Sequence, residues 1–123
     1  MAQAISKLWR QLMYYGGRLF RPVQTSDSSQ TGTDTIFKYE QSGDMVTATY
    51  SGGNIRFGQI IGQVDEDGTL DMRYQHVDRD GALMTGYCTT TPEVLPGGKL
   101  RLHEKWRWTC GHRAKGRSIL EEI

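Results

Sequence analysis

The sequence predicts an all-β protein, a single antiparallel up-and-down barrel of about eight strands. Turn signals recur at short, regular intervals, and short runs rich in β-branched and aromatic residues lie between them. No helical segment long enough for a parallel crossover intervenes, so neighbouring strands must run antiparallel. A meander of eight strands removes its edges best by closing into a barrel. The chain has 123 residues, which suits one such domain with a core of its own.

The turns define the strands. The turn signals are Ser42-Gly43-Asp44, Ser51-Gly52-Gly53, Asp65-Glu66-Asp67-Gly68, Asp78-Arg79-Asp80-Gly81, Pro96-Gly97-Gly98 and Gly111-His112. The runs between them predict strands at 19–23, 35–41, 45–50, 54–64, 69–77, 83–90, 99–109 and 117–123. Residues 24–34 are polar and have no apolar anchor, which predicts a mobile surface loop. In a barrel such a loop can sit at the open end and gate it.

The first residues differ from the rest of the chain. Ile5, Leu8, Trp9 and Leu12 recur at helical spacing, with Lys7, Arg10 and Gln11 on the other side. We therefore expect a short amphipathic helical extension over 1–13, followed by a barrel domain over 14–123. Two interpretations of the extension stay open: a flap or docking helix, and a poorly ordered segment upstream of the domain.

Two hairpins predict which residues face inward. Two-residue turns centred on Glu66-Asp67 and Arg79-Asp80 give one consistent inner face. Its members are Phe57, Gln59, Ile61, Leu70, Met72, Tyr74, His76, Leu83, Thr85 and Tyr87. The same register puts Cys88 on the outer face together with Gly58, Gly62 and Gly86. On the seventh strand, alternation predicts one inward set, namely Leu100, Leu102, Glu104, Trp106 and Trp108.

Glu104 interrupts an otherwise apolar stripe. A carboxylate at such a position is costly unless it is paired or solvated, and poor solvation should raise its pKa. Three roles stay open for it: a structural pair with His76 or Gln59, a contact to a ligand, and a general acid or base. The candidate ligand-binding residues are the inward aromatic and polar side chains Tyr74, His76, Tyr87, Glu104, Trp106 and Trp108.

Charge and motifs argue against several classes of function. Lys and Arg total 15 against 14 Asp and Glu, so we expect neither nucleic acid nor a membrane surface as a partner. The basic residues Lys105, Arg107, Arg113, Lys115 and Arg117 are offset by acidic pairs elsewhere. The histidines lack metal-ligand spacing, and no glycine-rich loop precedes a helix, so neither a metal nor a cofactor is predicted. Two cysteines are too few for a disulfide scaffold, and a reduced, cytoplasmic protein is expected.

Several strings resemble a known family. YSGGNI, LDMRYQHV, LMTGYCTTTPEVLPGGKLRLHEKWRWT and GRSILEEI are similar to segments of small bacterial proteins of about this length, which are often labelled N-acetylglutamate synthase. The resemblance covers Tyr14 to Ile123. The label implies acetyl transfer, whereas the predicted architecture resembles the calycin-like barrels of lipocalin, fatty-acid-binding and avidin type, which bind small ligands inside.

The sequence thus favours a barrel that binds a small, partly apolar molecule in its interior without catalysis. An enzyme on the same barrel, with Glu104 as general acid or base and with the acyltransferase label included, is one alternative. A packed barrel without a cavity that acts through protein contacts is another. The sequence leaves the identity of the ligand and the oligomeric state open, a homodimer included.

Overall fold

The computed structural model describes residues 14–123, and the predicted N-terminal helix lies outside them. The described chain forms eight strands: β1 Leu19–Thr25, β2 Ile36–Ser42, β3 Met45–Gly52, β4 Ile55–Val64, β5 Leu70–Asp78, β6 Leu83–Val94, β7 Leu100–Trp108 and β8 Lys115–Glu122. Among these residues no helix is long and apolar enough to cross a membrane.

Each strand pairs antiparallel with the next one along the chain, and β8 pairs with β1. The pairs Phe20↔Glu122 and Thr25↔Ser118 close the sheet into a barrel. The predicted fold class, a closed up-and-down barrel of eight antiparallel strands, is therefore confirmed. The predicted strand positions also hold, with ends displaced by a few residues.

The turns after β4 and β5 differ from those predicted. The amide of Asp65 bonds the carbonyl of Thr69, and Gly68 adopts a left-handed backbone with φ of 83°. The loop therefore has three central residues instead of two, the geometry in which glycine occupies the left-handed position. The next hairpin repeats it, with Asp78 bonded to Ala82 and a left-handed Gly81. Each extra residue shifts the register by one.

A shift of one residue reverses the faces of a strand. Met72 on β5 pairs with Gly62 and Cys88, where the sequence analysis paired it with Ile61 and Tyr87. The inner face predicted for β5 is correct, but the faces predicted for β4 and β6 are wrong. The residues wrongly placed inside are Phe57, Gln59, Ile61, Leu83, Thr85 and Tyr87, and those wrongly placed outside are Cys88, Gly58, Gly62 and Gly86.

Inward-facing glycines make room for the large side chains opposite them. Gly58 pairs with Tyr50, Gly86 with Tyr74 and Gly116 with Trp106. A Cβ atom added at any of these glycines would overlap the ring of its cross-strand partner. The rings thus lie over the glycine backbone instead of pointing straight at the barrel axis.

One half of the barrel interior is filled. Around the β4–β5 and β6–β7 turns the core consists of side chains with no or almost no exposed surface: Tyr15, Phe20, Tyr39, Val46, Leu70, Leu100, Leu102 and Leu120. The Tyr15 hydroxyl donates to the carbonyl of Gly68, 2.5 Å away, and so ties the segment before β1 to the β4–β5 turn. We call this half the packed half. It closes the barrel at that end.

The opposite end is covered by the loop between β1 and β2, residues 26–35. The amide of Asn54, in the β3–β4 turn, donates to the carbonyl of Gln30 at 3.0 Å. Thr35, at the end of the loop, is fully buried, and its hydroxyl accepts from the amide of Gly32. Hydrogen bonds, with no apolar side chain from the loop, hold this cover in place.

Candidate functional site

A cavity of about 60 Å³ lies beneath this loop, in the half of the interior that we call the hollow half. Since one water needs roughly 10–15 Å³ on such a measure, the cavity has room for a few waters or a small chemical fragment, and it is partly open to the surface. Its lining comes from the loop and from seven strands, β2 to β8: Ser29, Gln30, Thr31, Phe37, Tyr50, Ile55, Ile60, Met72, Tyr74, His76, Cys88, Glu104, Trp106, Trp108, Ser118 and Leu120.

Aromatic rings form most of the cavity wall. Trp108 lies edge-on to Tyr74, His76 and Trp106, with ring centroids 5.4–5.8 Å apart. Such edge-to-face pairs are a favoured arrangement of aromatic rings. The indole nitrogen of Trp106 donates to the Ser118 hydroxyl at 3.0 Å, which fixes this ring over Gly116. This part of the wall is mainly apolar, and the Trp106 nitrogen is already bonded to the barrel.

A chain of hydrogen bonds crosses the mouth of the cavity. The Tyr50 hydroxyl lies 2.8 Å from Nδ1 of His76, and Nε2 of His76 lies 2.6 Å from Oε1 of Gln30. The Gln30 amide group then donates to Asp78 at 2.9 Å. Because Oε1 of Gln30 can only accept, His76 donates through Nε2 and accepts from Tyr50 through Nδ1. A neutral imidazole satisfies both contacts.

The environment keeps this chain in one protonation state. Burial lowers the pKa of His76 to about 4, against a smaller opposing effect of the Asp78 charge. The hydrogen bond from Gln30 and that from the amide of Ala82 hold the pKa of Asp78 below its usual range. At neutral pH the chain therefore runs from a tyrosine hydroxyl through a neutral histidine and an amide to a carboxylate.

Glu104 lies deeper, two residues inward from Trp106 on β7, and its side chain is 8 % exposed. Its hydrogen-bond partner is the Thr90 hydroxyl, at a long 3.4 Å. Burial raises the pKa of Glu104 to about 8, while the bond from Thr90 acts in the opposite direction. At neutral pH this group is a carboxylic acid, able both to donate and to accept a hydrogen bond.

The structure brings five of the six predicted site residues to the cavity. Tyr74, His76, Glu104, Trp106 and Trp108 all line it. Tyr87 does not: it is 41 % exposed on the outside of β6, where the guanidinium of Arg73 lies over its ring. The three-residue turns explain this error, because they shift β6 by one position relative to β5. The predicted structural pairs of Glu104 are also wrong, since Gln59 faces outward and His76 bonds Tyr50 and Gln30.

The site predicted from the sequence did not include Gln30, Phe37 or Tyr50, although Tyr50 was a candidate for the aromatic wall with its facing left open. Gln30 lies in a stretch of small polar residues with nothing to distinguish it. Phe37 and Tyr50 alternate with polar neighbours on β2 and β3, so a strand pattern could have placed them inside. Cys88 also lines the cavity, and burial raises the pKa of its thiol well above the usual value. Cys88 and Cys110 are both free thiols.

Metal chemistry finds no support in the described part of the chain. Among residues 14–123 no group of three or more His, Cys, Asp or Glu side chains is placed to hold a metal ion. His103 bonds Glu93 on the outer surface, 2.8 Å away, while His76 belongs to the chain at the mouth.

Comparison with known proteins assigns this barrel to a family. A family described as avidin-like protein matches residues 13–123, nearly the whole chain. The chain belongs to the avidin-like protein family. Members of this family generally bind small ligands, which agrees with a barrel that is hollow at one end. No curated protein and no solved structure matches the chain significantly.

The avidin-like assignment supports one of the two resemblances noted in the sequence and not the other. It supports the calycin-like barrel, of which the avidin type is one. Nothing in the comparisons supports the label N-acetylglutamate synthase. The family therefore covers the same part of the chain as the resemblance but carries a different expectation of function.

Proposed function

We propose that this avidin-like protein is a non-enzymatic binder of a small, partly apolar molecule, held in the hollow half of the barrel. The observation that carries the proposal is the cavity itself: aromatic rings are set back over glycines, and this leaves space where the other half of the barrel is filled. Pockets of this kind, apolar with a few placed polar groups, are typical of small-molecule sites.

The polar groups suggest how such a molecule would be oriented. At the mouth, the Tyr50 oxygen donates its proton to His76 and retains lone pairs that can accept from a ligand N–H or O–H group. Deeper in, the Glu104 acid can donate to a ligand acceptor. A molecule that lies against Trp106 and Trp108 would be within reach of both groups.

The electrostatics favour an uncharged ligand group. No Lys or Arg of the described chain lines the cavity, and both His76 and Glu104 are neutral at pH 7. Burying an unpaired ion in such a site is strongly unfavourable. We therefore expect benzamide to bind more tightly than benzoate or benzylamine, two charged molecules of similar size.

The experiment compares two neighbouring substitutions. Ile60 lines the cavity and Ile61 lies on the outer face, so Ile60→Phe fills the site while Ile61→Phe makes the same change outside. Native mass spectrometry of each protein purified from its own host, together with benzamide titration, should show binding to wild type and Ile61→Phe and its loss in Ile60→Phe.

Trp108→Phe serves as a second variant in case Ile60→Phe folds poorly, because it removes part of the aromatic wall without adding volume. Loss of about tenfold in benzamide affinity with a preserved fold is expected, corresponding to roughly 1.4 kcal/mol. Equal binding by wild type and both interior variants would place the ligand elsewhere, and no binding by wild type would contradict the proposal.

The enzymatic alternative rests on one observation. A carboxylic acid with a pKa of about 8 is suited to proton transfer near neutral pH. The variant Glu104→Gln distinguishes a binder from an enzyme, because the amide keeps the shape and hydrogen-bonding capacity of the side chain but cannot transfer a proton. Retained binding with no change in the chemical fate of the ligand supports a binder, whereas turnover by wild type that the variant abolishes supports an enzyme.

A further inference from the structure

Four basic side chains form an array on the outer surface of β7 and β8. Lys105 pairs directly with Arg117 across the two strands, and Arg107 pairs with Lys115. All four side chains are exposed. Directly opposed side chains on a sheet lie about 5 Å apart at Cβ, and the next residue on the same face lies about 7 Å further along the strand. We call these four residues the basic array.

The array is unfavourable for the barrel on its own. Like charges directly opposite one another destabilise an antiparallel pair. None of the four side chains forms an ion pair with a residue of the described chain. Residues 1–13 contain no Asp or Glu, so the preceding segment has no acidic side chain to offer either.

The array is also confined to a small area. Further along β7, Arg101 bonds Glu93 and Glu121, and His103 bonds Glu93. On β5, Arg73 is paired with Asp71. On each strand the uncompensated charge therefore ends after two residues, and the exposed Arg113 lies in the turn that joins the two strands. Such a patch matches a compact polyanion better than a long strand of nucleic acid, which needs a continuous basic track.

The array lines a groove with groups suited to phosphate. The groove has a volume of about 750 Å³, and its neutral lining includes hydroxyl and amide side chains from the end of β1 and from β6: Gln24, Thr25, Ser26, Tyr87 and Thr89. Hydroxyl and amide groups supplement Lys and Arg at phosphate sites, where charge-assisted hydrogen bonds are strong. No acidic residue belongs to this lining.

We propose that the basic array is a second ligand site, which binds a compact oligophosphate such as inorganic triphosphate or the phosphate chain of a nucleotide. It lies on the outer face of β7 and β8, and its lining shares Trp106 with that of the interior cavity. β7 and β8 each contribute two cationic side chains to the chain of phosphates. The hydroxyl groups of the groove donate further hydrogen bonds to the phosphate oxygens. Binding relieves the repulsion between the cross-strand pairs.

Inorganic triphosphate is the probe, measured by calorimetry and thermal unfolding at low and at moderate salt. The test variant is Lys105→Gln with Lys115→Gln, which removes one charge from each cross-strand pair. The control is Lys38→Gln with Arg56→Gln, which removes two exposed charges from other strands. We expect saturable one-to-one binding to wild type and control, and weakening by about tenfold or more in the array variant.

A second readout separates a built site from general attraction. Without triphosphate, the array variant should unfold at an equal or higher temperature than wild type, because a repulsive contact is gone. Equal weakening in the control variant, or no saturable binding to wild type, would overturn the proposal. Tighter binding of a ten-residue oligothymidylate than of triphosphate at the same salt would also overturn it, in favour of a nucleic-acid surface.

Discussion

The two halves of the barrel interior use the same strands differently. In the packed half, Leu100 and Leu102 on β7 belong to a core of fully buried side chains that includes Tyr39 and Phe20. In the hollow half, Trp106 and Trp108 on the same strand lie over glycine or edge-on to other rings and enclose a cavity. Close packing and open space are thus separated along the barrel axis, with Glu104 at the boundary between the halves.

Truncation in the packed half should have the largest effect on stability. Leu102→Ala removes a fully buried side chain from a close-packed region, which typically lowers the free energy of unfolding by about 2–5 kcal/mol. Denaturant unfolding measures it, and His103→Ala on the outer face is the control, expected within about 1 kcal/mol of wild type. Ligand affinity of the folded Leu102→Ala protein should be unchanged. A small loss of stability together with lost binding would mean that the two halves are not separate.

The boundary residue gives a pH-dependent test. Glu104 has a pKa of about 8 in the folded chain and an ordinary one of 4.5 when unfolded, so the folded state holds a proton that the unfolded state releases between these values. Stability from this group is fully present below pH 4.5 and is lost as the pH rises from there through 8, an effect on the order of 5 kcal/mol for a shift of this size.

Glu104→Gln should abolish that loss, because an amide does not titrate. Thermal midpoints of wild type and variant from pH 5 to pH 9 should therefore diverge as the pH rises, with the variant the more stable at pH 9. Glu40→Gln, on the outer face of β2, should follow the wild-type curve. Parallel curves for wild type and Glu104→Gln would mean that Glu104 is ionised in the folded protein.

The space in the hollow half depends on its glycines. Gly58→Ala would push a methyl group into the ring of Tyr50, and overpacking of this kind lowers the free energy of unfolding by about 1–3 kcal/mol. If the ring is the reason, the same change in a Tyr50→Leu background should have a much smaller effect, which a double-mutant cycle measures. Gln59→Ala, at the next position on β4, is the control. Additive effects would show that the backbone, and not the ring, is the obstacle.

Sequence reasoning recovered the strands because turn signals and β-branched runs are local features. It also recovered the inner face of β7, where strict alternation makes Glu104 stand out. It failed for Tyr87 and Cys88 because facing depends on turn length, and one left-handed glycine in each hairpin moves the register by a residue. Gly58 and Gly86 offered a further indication that sequence reasoning did not use. A glycine inside a strand can mark the position where a ring from the neighbouring strand lies close to the backbone.

The smallest effect is expected at the mouth of the hollow half. Gln30→Ala removes both the acceptor of His76 and the donor to Asp78, but the site lies near solvent, which can replace these bonds. We expect a loss of stability of about 0.5–1.5 kcal/mol. The loop should open more often, because the Gln30 side chain links it to His76 and Asp78 on β5. Hydrogen exchange at the amide of Asn54, which bonds the carbonyl of Gln30, reports this opening directly. Exchange there should accelerate in Gln30→Ala and stay at the wild-type rate in Thr33→Ala, an exposed position of the same loop. Unchanged exchange in Gln30→Ala would mean that backbone contacts alone hold the loop closed, and that ligand entry is controlled elsewhere.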